Sequence, residues 1–147
     1  MLGGSGRAGG DVEGLLRGGI ASMALGAAFI HASVVPDHQG LRLHVAFFLV
    51  TALVQSGLAA VVLRGRSGRW LALSAAVNGV IAVIWVLSRT TGLPVEGATT
   101  AEPMGFKDAI STLLEIGVVA GAGLVAVLPE ASRRVPLAVN SLASIVM

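Results

Sequence analysis

Residues 30–55 read IHASVVPDHQGLRLHVAFFLVTALVQ, and this stretch decides the fold. It contains all three histidines, a Pro-Asp turn and the start of a long apolar run. Apolar segments of membrane-spanning length lie on both sides, so the turn joins two transmembrane helices. His31, His44 and Gln55 sit inside apolar sequence, where a polar side chain is costly and usually has a purpose.

Composition agrees with that reading. The 147 residues are 54% hydrophobic and 12% charged, with a mean hydropathy of +0.85. A soluble domain carries about 25% charged residues. The class is therefore an integral membrane protein of one domain. Cysteine is absent, which excludes disulfides, thiolate zinc sites, iron–sulfur clusters and cysteine nucleophiles. The pI of about 10.5 reflects a net charge of only +2 and few titrating groups. The arginines are scattered at helix ends and form no basic face, so no nucleic-acid partner is expected. The abundance of Ala, Gly, Val, Leu and Arg points to a GC-rich bacterial genome, and hence to the bacterial inner membrane.

Working outward, residues 1–13 form a glycine-rich leader expected to be flexible, and residues 14–130 a four-helix transmembrane domain. No cleaved signal peptide is expected, because the first apolar segment is too long and lacks a small-x-small site. The four spans are placed at 15–35, 41–63, 70–88 and 107–128, each long enough for a hydrocarbon core about 30 Å thick. Pro36 stops the first span. Gly18, Ser22 and Gly26 form a small-xxx-small row on it, and Gly117 and Gly121 a GxxxG pair on the fourth. Tight turns join spans one to two and two to three, and the only long connection runs over residues 89–106. The tail, 131–147, is apolar but too short to span, and is read as interfacial or as truncated.

These connections give an all-α, up-down-up-down bundle. Arg7, Arg17, Arg64, Arg66, Arg69, Arg133 and Arg134 fall on one side, against Arg42, Arg89 and Lys107 on the other. That asymmetry places both termini in the cytoplasm and the histidine turn outside.

The polar residues inside the spans fall on narrow stripes. His44, Phe48, Thr51 and Gln55 stay within about 40° on span two at 100° per residue. Asn78, Trp85 and Arg89 repeat the pattern on span three, and Asp108, Thr112 and Glu115 on span four. Depth sorts them into two layers. Gln55 and Asn78 are expected to hydrogen-bond in the inner one. His31, His44, Trp85, Arg89, Asp108 and Glu115 make the outer one, joined from the loops by Asp37, His38, Glu96 and Glu102.

Several readings of the outer layer compete. In the first it is a polar packing network in a non-catalytic subunit, with Glu115 or Asp108 pairing Arg89 or Lys107. Thr112-x-x-Glu115 also fits a capping box, which would place Glu115 at a helix start. In the second it holds a transition metal, copper or zinc, through His31, His38, His44, Glu102, Asp108 and Glu115. Imidazole with carboxylate suits zinc or copper(II), and Met104 beside Glu102 would serve copper(I). In the third, His31 and His44 ligate a haem; adjacent helices leave little room for one. Proton sensing by His31 with Glu115 is the fourth. No phosphate loop, nucleophile elbow or HExxH is present, so catalysis has no carrier. The expected partners are the lipid bilayer and either a second copy or a larger membrane complex.

The segments IHASVVPDHQGLRLHVAFF, WVLSRTTGLP and EPMGFKDAISTLLE together resemble a family of small four-span membrane proteins associated with actinobacteria. The residues that carry the resemblance are His31, Pro36, His38, Trp85, Arg89, Gly92, Pro94, Glu102, Asp108 and Glu115. It covers most of residues 20–120. It implies the four-span topology and no particular activity.

Overall fold

The computed structural model describes residues 9–65, 67–95 and 97–127. Arg66, Glu96, residues 1–8 of the leader and everything after 127, with Arg133, Arg134 and the tail, lie outside the described residues. All regular structure among them is helical: α1 Gly9–Val34, α2 Arg42–Arg64, α3 Gly68–Thr90 and α4 Phe106–Val127. A 3₁₀ turn, Val35–His38, follows α1 and carries Pro36 near its start. Proline is accepted there because its missing N–H falls where a helix leaves donors unpaired anyway.

The helices contain 26, 23, 23 and 22 residues. At 1.5 Å per residue even 22 residues reach about 33 Å, and all four are apolar enough to cross a membrane. Their outward faces carry Phe29, Leu53, Val80, Val83 and Leu113, each more than half exposed. Water would penalise such a surface, whereas hydrocarbon is its natural solvent.

α1 packs against α2 and α4, and α3 against α4 and, less extensively, α2. Along α1 and α4, residue numbers run in opposite senses. Ile20 meets Gly121, Met23 meets Gly117 and Gly26 meets Leu114. The glycine pair on α4 is therefore the surface on which α1 rests. Of the small residues expected on α1, Gly26 lies at this contact and the other two do not. Ser22 is exposed, and Gly18 has nothing within 4 Å of where its Cβ would be. The buried small residues are Ala21, Ala24, Ala27 and Ala28. Positions 21, 24 and 28 keep the helical period, so alanines take the role expected of Gly18 and Ser22.

The two ends of the bundle differ in kind. At the end where α2 leads into α3, the core is apolar and fine-grained: Ile20, Ala21, Ala24, Ala59, Val62, Leu71, Val118, Ala122 and Val125. Arg17 fastens this end by donating from Nη1 to the Gly65 carbonyl at 2.8 Å. The opposite end, where α3 leads into the long loop, is polar. It is called the loop end below.

Boundaries shift modestly from expectation. α1 begins at Gly9, inside the segment expected to be leader, and α4 begins at Phe106. The start of α4 lies nine residues before Glu115, so Thr112-x-x-Glu115 is no capping box.

Candidate functional site

Glu115 is the hub of the polar interior. It is 1% exposed and lies in the middle of α4. Its Oε1 accepts from His31 Nε2 of α1 at 2.8 Å and from Gln55 Nε2 of α2 at 3.2 Å. Gln55 also donates to Asn78 Oδ1 of α3 at 3.0 Å. Asn78 in turn donates to the Ser74 carbonyl at 2.8 Å. A single buried chain, His31–Glu115–Gln55–Asn78, thus takes one residue from every helix. The expected inner contact between Gln55 and Asn78 is present. What the separation into layers missed is that Glu115 reaches down to Gln55 and joins the two.

A second cluster sits at the loop end. Arg89 near the end of α3 donates from Nη2 to Asp108 Oδ2 at 2.6 Å, and from Nη1 to Glu102 of the long loop. Its guanidinium carbon lies 6.0 Å from the centre of the Trp85 ring. One planar cation thereby holds two carboxylates, a role that suits arginine's forked donors. Lys107 pairs with Asp37 at 3.2 Å on the exposed rim.

The long loop is folded over this end. Leu93 N donates to Ala98 O at 2.6 Å, and Glu102 N to Ser88 O at 3.0 Å. Gly92 makes the first turn with φ +76°, and a Cβ there would lie 2.7 Å from Thr99 O. Ala98 is consequently 3% exposed, although it belongs to a loop.

The histidines of the turn do different work. His38 Nδ1 lies 2.9 Å from the Val34 carbonyl, one of the orphan acceptors at the end of α1. Its ring stacks on His44 with centroids 5.6 Å apart, and Phe48 lies 4.8 Å away. Phe48 also stacks on His31 at 5.8 Å.

Of the six residues expected to hold a metal, the structure brings His31 to Glu115, and His38 to His44. Glu102 and Asp108 meet on Arg89 instead. No group of three or more histidine or carboxylate side chains suited to a metal occurs among the described residues. The Glu102 and Asp108 carboxylates are both engaged by the Arg89 guanidinium. Met104 is exposed. His31 Nε2, the atom a haem iron would take, is engaged by Glu115.

Between the two clusters lies a cavity of about 240 Å³. Its walls include Phe48, Ile81, Ile84, Trp85, Thr112 and, from the loop, Val95. Five buried polar atoms of lining residues have no hydrogen-bond partner among the described residues: His44 Nδ1, Trp85 Nε1, Arg89 Nε, Thr112 Oγ1 and Glu115 Oε2. Thr112, Trp85 and Glu115 were legible as members of the polar stripes. Of the loop residues in the wall, Glu102 was legible as a member of the outer layer, whereas Leu93, Val95 and Ala98 carried no signal in the sequence.

The chain matches no protein-family model, no curated protein and no solved structure.

Proposed function

We propose that this chain is a multi-pass protein of the bacterial inner membrane, an up-down-up-down bundle with cytoplasmic termini, acting without catalysis as a subunit of a larger membrane complex. The observation that carries the non-catalytic packing role is the buried chain His31–Glu115–Gln55–Asn78, with one member on each helix. In hydrocarbon such bonds have no competing water, and they fix which faces of the helices meet. The basic residues at the end opposite the loop support cytoplasmic termini. Gentle purification from native membranes tests the assignment: a stoichiometric partner is expected to accompany the chain. Recovery of the chain alone, as a monomer, would contradict the subunit role.

One observation favours a second reading, the binding of copper or zinc. Glu115 Oε2 has no partner among the described residues and belongs to the carboxylate that already meets His31. A transition metal taking both would need a further ligand, which an exogenous group such as water would supply. Elemental analysis of protein purified without chelators, with copper and zinc present, tests it. About one equivalent of metal, lost in His31→Ala, supports this reading; metal content no higher than in that variant removes it.

A further inference from the structure

The residues that line the cavity between the two polar clusters leave polar atoms of different kinds unpartnered along its length. Glu115 and Asp108 lie seven residues apart on α4, about 10 Å along the axis at the helical rise. At the Glu115 level the unpartnered atom is a carboxylate oxygen, Oε2, on a residue 1% exposed. It wants a donor. Toward the Asp108 level the unpartnered groups include Trp85 Nε1 and Arg89 Nε. Both are N–H donors with no capacity to accept, so they want an acceptor. Phe48, Ile81 and Ile84 supply apolar wall. Unsatisfied buried polar atoms are rare in proteins, and these belong to residues that line one cavity, so a small turn of their side chains brings them to a common partner there.

Size and charge narrow the partner. An apolar cavity of roughly 150 Å³ accepts a benzene ring, so about 240 Å³ accommodates two fused rings. A cation would satisfy Glu115 but would present no lone pair to Trp85 and Arg89. A bare hydrocarbon would satisfy neither end. We propose that this cavity binds a small, neutral, dihydroxyaromatic ligand of the quinol class. One hydroxyl donates to Glu115 Oε2, and an oxygen at the far end accepts from Trp85 Nε1 or Arg89 Nε. The site goes beyond the packing role of the network, since it uses the carboxylate oxygen that the network leaves over.

The full-length protein in lipid nanodiscs, carrying Trp70→Phe, leaves Trp85 as the sole tryptophan of the two in the chain. Quenching of its fluorescence is followed with three probes of similar size: 1,5-dihydroxynaphthalene, naphthalene and 1-naphthylmethylammonium. The diol is expected to bind saturably and at least roughly tenfold more tightly than naphthalene, the gain of two or so net hydrogen bonds. Glu115→Gln is expected to weaken the diol and leave naphthalene within about twofold, as loss of a charge-assisted bond requires. Ser88→Phe, which places a ring in the cavity, is expected to abolish saturable quenching. Equal binding of diol and naphthalene overturns the proposal, and so does tighter binding of the ammonium or unchanged binding to Ser88→Phe. The three-probe comparison needs no further variant, so it stands even where a substitution unfolds the bundle.

Discussion

Arg89 and Asp108 face each other across the end of α3 and the start of α4, with Nη2 and Oδ2 2.6 Å apart. The same guanidinium holds Glu102 of the long loop. Alongside the backbone bond from Glu102 N to Ser88 O, that side chain ties the loop to the bundle. Arg89→Ala is expected to loosen it. Because the chain has no cysteine, a single Cys at position 98 reports the change cleanly. Ala98 is buried, so maleimide labelling is expected to be slow, and to accelerate roughly tenfold or more when the tie is removed. Equal rates with and without Arg89 would show that the backbone turn alone holds the loop.

Gly92 gives an independent handle on the same loop. Its φ of +76° and the nearby Thr99 carbonyl leave no place for a side chain. Gly92→Ala is expected to cost about 1–3 kcal/mol of local stability, the usual scale of stored backbone strain. Labelling at position 98 should rise with it, while Gly14→Ala, with open space around it, should change nothing there.

The α1–α4 contact separates two kinds of glycine. A Cβ at Gly117 would lie 2.5 Å from Met23 Sδ, and one at Gly121 2.8 Å from Ile20 Cγ1. Gly18 has open space. Gly121→Ala is therefore expected to destabilise the bundle by about 1–3 kcal/mol, as overpacking does. Gly18→Ala is expected to be neutral, or stabilising by up to about 1 kcal/mol through helix propensity. Denaturation in mixed micelles reads both. The reverse order would mean that α1 is rotated about its axis relative to this structure.

The contrast also shows what the sequence could and could not say. Helix positions were legible because long apolar runs, the stop at Pro36 and the tight turn after Arg64 bound them. Gln55 and Asn78 were legible as a pair because a tight turn and equal depth leave each the other's natural partner. The face of α1 was not. Ala21, Ala24 and Ala28 are small and apolar, equally acceptable against lipid or against a helix, so the polar-looking row of Gly18, Ser22 and Gly26 drew attention instead. Nor could spacing show that Arg89 captures both Glu102 and Asp108, since Glu102 reaches it only through the folding of the loop. Glu115 reads as an outer-layer residue by depth. Only the length and direction of its side chain bring it to Gln55.

Topology has its own test. Reporter fusions after Arg66 are expected to score cytoplasmic, and fusions after Gly97 periplasmic, following the excess of arginine at that end. Opposite scores at either position would invert the arrangement of the spans proposed above.

The buried network centres on the bond between His31 and Glu115, which joins residues 84 positions apart at 2.8 Å. A double-mutant cycle with His31→Leu and Glu115→Leu, read by reversible unfolding in bicelles, measures it directly. Each single change is expected to destabilise, because it leaves the other group buried and unmatched. The double variant should then be less unstable than the sum of the singles by about 1–2 kcal/mol, within the range for residues in one network. Strict additivity would contradict the claim that this chain of side chains fastens the helices together.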